Sequence, residues 1–169
     1  PYFSDRFMLL DSSTRRNLEL VETLREKQKK GSLLGVLDRT KTAMGARMLR
    51  SIIEQPLINK DEIEKRLTAV EELTGMPMIR DEIREYLHPV YDLERLSSRI
   101  AYQTANPRDL IAFKSSLQML PFIRQLLTGF QGDLLKNVQN DLDPLEDLFH
   151  AIDDAIIDDP PMAMKDGGI

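Results

Sequence analysis

The sequence predicts a mainly α-helical fold: an irregular multi-helix bundle with one long helix kinked at a proline, and a small β pair near the N-terminus. Three features predict it. Apolar residues recur at the 3.6-residue helical period in segment after segment. Helix starts carry a cap residue followed by a first-turn proline or carboxylate. Period-2 alternation, the mark of a half-buried strand, is confined to a few residues before position 22.

Residues 1–30 form a less regular opening segment. Tyr2-Phe3 and Phe7-Met8-Leu9-Leu10 are short apolar runs ahead of a polar turn at Asp11-Ser12-Ser13, and Leu18-Glu19-Leu20-Val21 alternates. A two-stranded pairing there is marginal alone and needs helices packed on it. Arg25 to Gly31 reads as a charged loop, and an apolar turn follows it. Residues 43–54 place Met44, Met48, Leu49, Ile52 and Ile53 on one side of a helix, with Thr42 as N-cap and Pro56 ending the run. Asn59 and Glu62 make a capping pair, followed by Ile63, Leu67 and Val70 on one face and Gly75 as a stop. Residues 78–87 align Ile79, Ile83 and Leu87 before His88-Pro89 breaks the helix.

Residues 92–104 carry Leu93, Leu96 and Ile100. The longest helix is expected over 107–128, about 33 Å if continuous. Asn106, Pro107 and Asp109 supply its cap, first-turn proline and first-turn carboxylate, and its inner face holds Leu110, Phe113, Leu117, Leu120 and Leu127. Pro121 predicts a kink near Leu117–Pro121, because proline cannot donate to the carbonyl four residues back. Asp143, Pro144 and Glu146 repeat the starting device ahead of Leu145, Leu148, Phe149, Ile152 and Ile156.

The bulk numbers suit a globular domain. With 169 residues, 41% hydrophobic and 30% charged, the chain can bury roughly 70% of its unfolded surface. It holds no cysteine, which excludes disulfides, thiolate metal sites and cysteine nucleophiles and is compatible with a reducing compartment. No apolar run is long enough to span a bilayer, and the N-terminus has no basic-then-apolar signal. The first residue is Pro1, as expected of a segment cut from a longer protein.

Net charge is −5 but uneven: residues 1–50 hold 11 Lys/Arg against 6 Asp/Glu, and residues 133–169 hold 2 against 10. An autonomous nucleic-acid binder is usually basic overall, because phosphate neutralisation supplies most of its affinity. Weak or no independent DNA binding is therefore expected. The cations Arg15, Arg16, Lys27, Lys29 and Lys30 read either as a solvated charged loop or as sequence-independent phosphate contacts. No aromatic residues interleave with them, so base stacking is unsupported. His88 and His150 each lack a second ligand at metal spacing and read as structural. Asp153, Asp154, Asp158 and Asp159 cluster at a helix C-terminus, against the dipole, and read as a solvated face, a partner contact or a metal site. No phosphate-binding loop and no Ser/His/Asp pattern is present, so no nucleotide hydrolysis is expected of the chain alone.

The stretch Asp38-Arg39-Thr40-Lys41-Thr42-Ala43-Met44-Gly45-Ala46-Arg47 resembles the signature of the MutS family of DNA mismatch repair proteins. Leu10-Asp11-Ser12-Ser13-Thr14-Arg15-Arg16-Asn17-Leu18-Glu19-Leu20 is similar to the segment that opens the family's core domain. Tyr91-Asp92-Leu93-Glu94-Arg95-Leu96 and Asn106-Pro107-Arg108-Asp109-Leu110 fall in the family's order and at about its spacing. Asp158-Asp159-Pro160-Pro161 and Gly167-Gly168-Ile169 extend the likeness more loosely.

The resemblance implies a single core domain over 1–169, with a lever helix at 107–128 and an exit at 158–169 toward a clamp that this stretch lacks. It implies a structural lever that couples mismatched-DNA binding to a separate ATPase module in a parent that is a DNA-dependent ATPase. It assigns no catalytic, cofactor-binding or metal residue here; ATP and magnesium belong to the ATPase module. The implied partners are mismatched duplex DNA reached through other modules, and the parent's own clamp, connector and ATPase domains. The parent is expected to be a homodimer in the bacterial cytoplasm, associated with the nucleoid, and the segment itself a monomer with no membrane contact.

Asp38, Thr40, Thr42, Gly45, Arg47, Asn106, Pro107 and Asp109 read as packing and anchoring positions, with Arg47 expected to pair with an acid such as Asp38. The alternatives are an independent helical adaptor that binds a partner through the acidic region 153–159, and an acidic-site metalloenzyme.

Overall fold

The computed structural model describes residues 6–162 and 167–168. Among the described residues there are ten α-helices, and no strand longer than a single bridge. The contacts divide the chain into two compact units, one up to Val70 and one from Glu71 onward.

The first unit holds α1 (Ser12–Asn17), α2 (Leu33–Leu37), α3 (Ala43–Glu54) and the start of α4 (Lys60–Gly75). Its core is small: Leu20, Leu34 and Ile53 are buried together, with Leu10, Val21 and Leu49 against them. Among the described residues, the β pair expected within residues 1–30 does not form there. Phe7 instead makes one antiparallel bridge with Leu57, closed by Met8 N–H on the Pro56 carbonyl at 2.8 Å and Ile58 N–H on the Arg6 carbonyl at 3.2 Å. Tyr2-Phe3 lies outside the described residues.

Leu18–Val21 fails as a strand for a local reason. Glu19 turns through a left-handed φ of 49°, and its carbonyl and that of Leu20 are taken by the first amides of α2. Asp11-Ser12-Ser13, expected as a plain turn, starts α1, with the Asp11 carboxylate accepting the Thr14 N–H at 2.6 Å.

α3 runs over the expected residues. Asn59 caps α4 by accepting the Glu62 N–H at 3.0 Å. The Glu62 carboxylate does not reach back; Arg6 holds it at 2.8 Å. The apolar face expected of α4 exists but looks outward: Leu67 is 61% and Val70 59% exposed, while Ala69 is the buried position. Gly75 is not a left-handed stop. It is the last helical residue, and Met76-Pro77 ends α4, because the residue before a proline is pushed out of the helical region.

The second unit comprises α5 (Pro77–Leu87), α6 (Leu93–Ala101), α7 (Pro107–Leu117), α8 (Leu120–Leu126), a 3₁₀ turn (Leu127–Gly129), α9 (Asp133–Asp141) and α10 (Glu146–Ala155). Its core is contiguous. Leu96 of α6, Phe113 and Leu117 of α7, Leu120 of α8 and Ile152 of α10 are buried as one cluster, with Leu93, Leu110, Phe149 and Ile156 packed against it. The Tyr86 and Phe122 rings stack with centroids 5.0 Å apart, joining α5 to α8.

The helix expected over 107–128 is interrupted at the expected place, and more fully than by a kink. α7 stops at Leu117, Gln118 and Met119 form a turn, and α8 restarts at Leu120 with Pro121 in its first turn. Proline lacks the N–H that the Leu117 carbonyl would accept, and its ring crowds that carbonyl. The single 33 Å rod therefore becomes two helices, the first about 16 Å long. α10 begins later than Asp143-Pro144 implied. Asp143 accepts the Leu145 N–H at 2.9 Å in a local turn, and Leu145 adopts a left-handed φ of 53° just before Glu146. The packing of its side chain on the core offsets that strain.

Candidate functional site

Two assemblies contain the residues that the sequence singled out, one in each unit. In the first, α2 is a five-residue helix whose orphan amides are all answered. Leu33 N–H donates to the Glu19 carbonyl at 3.0 Å, and Leu34 N–H to the Leu20 carbonyl at 2.8 Å. The buried Ser32 hydroxyl accepts the Gly35 N–H at 3.1 Å and donates to the Lys29 carbonyl at 2.7 Å. The Lys29 carbonyl approaches so closely that a Cβ on Gly35 would meet it at 2.1 Å.

Asp38 follows α2 directly. Its carboxylate accepts the Thr40 N–H at 3.0 Å and the Thr40 hydroxyl at 2.6 Å, and it pairs with the Lys29 ammonium. The Lys29 bond, then the two from Thr40, lower the carboxyl from its ordinary 3.8 to about 2. Thr42 caps α3 by accepting the Gly45 N–H at 3.0 Å. A Cβ on Gly45 would lie 3.1 Å from that same hydroxyl and close to Thr40, so the glycine makes room for both threonines. Arg47 is exposed on α3.

The candidate phosphate-contact cations share no single arrangement. Arg15 and Arg16 lie in the last turn of α1, where the dipole favours them. Lys27 pairs with Glu22 at 3.5 Å and Lys29 with Asp38, while Lys30 is exposed in the loop.

The second assembly is the N-terminus of α7. Asn106 and Asp109 form a reciprocal capping box: the Asn106 side chain accepts the Asp109 N–H, and the Asp109 carboxylate the Asn106 N–H, both at 2.9 Å. Pro107 is buried in the first turn. Arg99 of α6 donates to Asp109 at 2.8 Å, tying the two helices together at this end. Arg108 reaches across to the Pro160 carbonyl at 3.0 Å.

Sequence reasoning missed several residues here. Lys114, 8% exposed, donates to Asp153 at 2.9 Å and Asp158 at 3.0 Å. These bonds, Asp153 first, raise its pKa above the ordinary lysine value. The signal was present: position 114 falls between Leu110 and Leu117 on the inner face of α7, where a charge needs partners. Three members of the acidic cluster thus meet cations within the chain: Asp153 and Asp158 at Lys114, and Asp159 at 3.8 Å from Arg108. Ser116, fully buried, accepts the Tyr91 N–H at 2.9 Å and donates to the Ala112 carbonyl at 2.8 Å. Glu72 accepts the Gln131 and Gly132 amides at 2.7 and 3.0 Å, supplying a cap for α9 that the local sequence lacks. An apolar cleft of about 180 Å³ opens beside the α7–α8 break, lined by Leu117, Pro121, Phe122, Pro144 and Phe149.

Among the described residues, no cluster of three His, Asp or Glu is placed to hold a metal ion, and no helix is long and apolar enough to cross a membrane. His88 ends α5, and His150 packs edge-on against Phe149 at 5.4 Å. The arrangement is one of caps, closures and ion pairs that fix helix directions.

Comparison with known proteins agrees with the sequence motifs. The DNA mismatch repair protein MutS of Lachnoclostridium phytofermentans is 60% identical over 169 residues, covering all of this chain and 18% of that protein. Those of Ruminiclostridium cellulolyticum and Acetivibrio thermocellus are each 54% identical over 168 residues, covering 99% of this chain and 19% of theirs. The chain thus spans about a fifth of the length of the curated relatives it matches. Residues 13–169 match the family described as MutS domain III, and the chain belongs to that family.

Proposed function

We propose that this chain is the structural lever of a mismatch repair protein, coupling mismatched-DNA binding to a separate ATPase module through packed helices that move as rigid bodies. One observation carries the reading: α7, whose inner residues Phe113 and Leu117 are buried among α6, α8 and α10, ends at a proline-enforced break that sets the direction of α8. The lever is then the α7–α8 pair rather than one rod. Asp38, Thr40, Thr42, Gly45, Arg47, Asn106, Pro107 and Asp109 anchor helix ends so that displacement is transmitted rather than absorbed.

On this reading the chain supplies no catalysis. ATP and magnesium act in the ATPase module of the parent, and mismatched duplex DNA is held by other modules. The chain from Asp158 onward leads toward a clamp, and the connector and ATPase domains are the other intramolecular neighbours. The parent is a homodimer in the bacterial cytoplasm at the nucleoid, and the segment alone is a monomer. Arg15, Arg16 and Lys30 are the cations best placed to brush phosphates.

The division of labour is tested with the purified chain. Titration with mismatched duplex at low salt is expected to give no tight complex, and incubation with ATP and magnesium no turnover. Salt-sensitive duplex capture or nucleotide hydrolysis by the chain alone overturns the reading.

A further inference from the structure

Beyond α10 the chain runs extended through Ile156, at φ −134° and ψ 129°. Among the described residues, no backbone hydrogen bond ties the Ile157, Asp158 or Asp159 amide. What holds this stretch is side-chain chemistry from α7. Lys114 donates to Asp158 at 3.0 Å as well as to Asp153 at 2.9 Å. Arg108 donates to the Pro160 carbonyl at 3.0 Å and lies 3.8 Å from the Asp159 carboxylate. Pro160 is fully buried.

The two carboxylates on Lys114 are not equivalent. Asp153 belongs to α10 and moves with the core, whereas Asp158 belongs to the extended stretch, with its side chain 96% exposed. A lysine carries three donors, so losing Asp158 leaves the buried ammonium still paired with Asp153. The freed Asp158 carboxylate is solvated at once, so no charge is stranded in the interior.

We propose that residues 156–160 form a latched strap, with Lys114 as the catch and Asp158 as the releasable tooth, able to open without disturbing α7 or α10. Its role in setting the direction in which the chain leaves the core rests on the lever reading. The latch itself does not, since it is measurable on this chain alone.

The test is ¹⁵N relaxation on the whole 169-residue chain. In the wild type, the amides of Ile157–Asp159 are expected to have order parameters near the rigid value of about 0.85. In Asp158→Asn, which alters one exposed side chain, they are expected to fall below about 0.6, with α7 and α10 amides unchanged. Lys114→Met is expected to release the strap as well; because it also removes the partner of Asp153, the state of α10 is judged in Asp158→Asn alone. The proposal is overturned if the strap is already mobile in the wild type. It is also overturned if it stays rigid in both variants, which would make Pro160 packing the restraint, or if α10 loosens along with it. None of these outcomes bears on whether the parent couples DNA to ATP, so the two readings fail separately.

Discussion

The segment up to Val70 and the segment from Glu71 onward hold themselves together by different means. The first buries little apolar surface around Leu20, Leu34 and Ile53 and leaves Leu9, Leu18, Val36, Met48, Leu67 and Val70 largely outside. Its shape is carried by closures: the carbonyls of Glu19 and Leu20 on α2, Ser32 across the turn, Asp38 on Thr40, and Thr42 on α3. The second has a continuous core running through α6, α7, α8 and α10, and its polar groups serve that core. The lesson is that the signature motif lies where packing is thin. Its Asp, Thr and Gly residues do the positioning that apolar burial does elsewhere.

That contrast predicts a ranking of substitutions, each read by chemical denaturation of the whole chain. Leu117→Ala removes a side chain that is 1% exposed from the centre of the second core. It should destabilise most, by about 3–5 kcal/mol. Gly35→Ala should follow, at about 2–3 kcal/mol, because its methyl must displace the Lys29 carbonyl. A loss below about 1 kcal/mol would mean that the closure around α2 is slack and the contrast overstated.

Asp38→Ala should cost about 2 kcal/mol through the lost bonds to Thr40 and Lys29. It should also remove a pH dependence. Asp38 has a folded pKa depressed from 3.8 to about 2, so its contribution is fully present above about 4 and lost as pH falls toward about 2. Wild type and Asp38→Ala should therefore converge in stability through that acid window. Leu67→Ser, on the exposed face of α4, should have the smallest effect, within about 0.5 kcal/mol. A larger loss would show that this face is covered in solution.

Much of this was legible because helix ends write themselves into sequence. Asn106-Pro107-Arg108-Asp109 specified its own capping box, Thr42 its cap, and Pro121 its interruption, all through neighbours within four residues. What was missed depends on partners far along the chain. α9 has no local cap side chain, and the Gln131 and Gly132 amides that lead into it are met by Glu72. Lys114 meets Asp153 and Asp158 some forty residues later. The outward turn of Ile63, Leu67 and Val70 could not be read either, since periodicity reveals that a face is apolar and not which way it points. The β pair failed because first-turn amides of α2 competed for the Glu19 and Leu20 carbonyls. The anchoring roles assigned to Thr42, Asn106 and Asp109 came from cap chemistry; Asp38 was expected only as a partner for Arg47, and its bonds to Lys29 and Thr40 required the fold.

The central claim is that a fixed break at Pro121 transmits motion between modules this chain does not contain. Its most direct test is mismatch-stimulated ATP turnover by the full-length parent carrying Pro121→Ala, alongside the structure of the same variant. The account predicts that α7 and α8 straighten toward one helix, that basal turnover is kept, and that the response to mismatched duplex is lost. An unchanged helix direction with an unchanged mismatch response would contradict it.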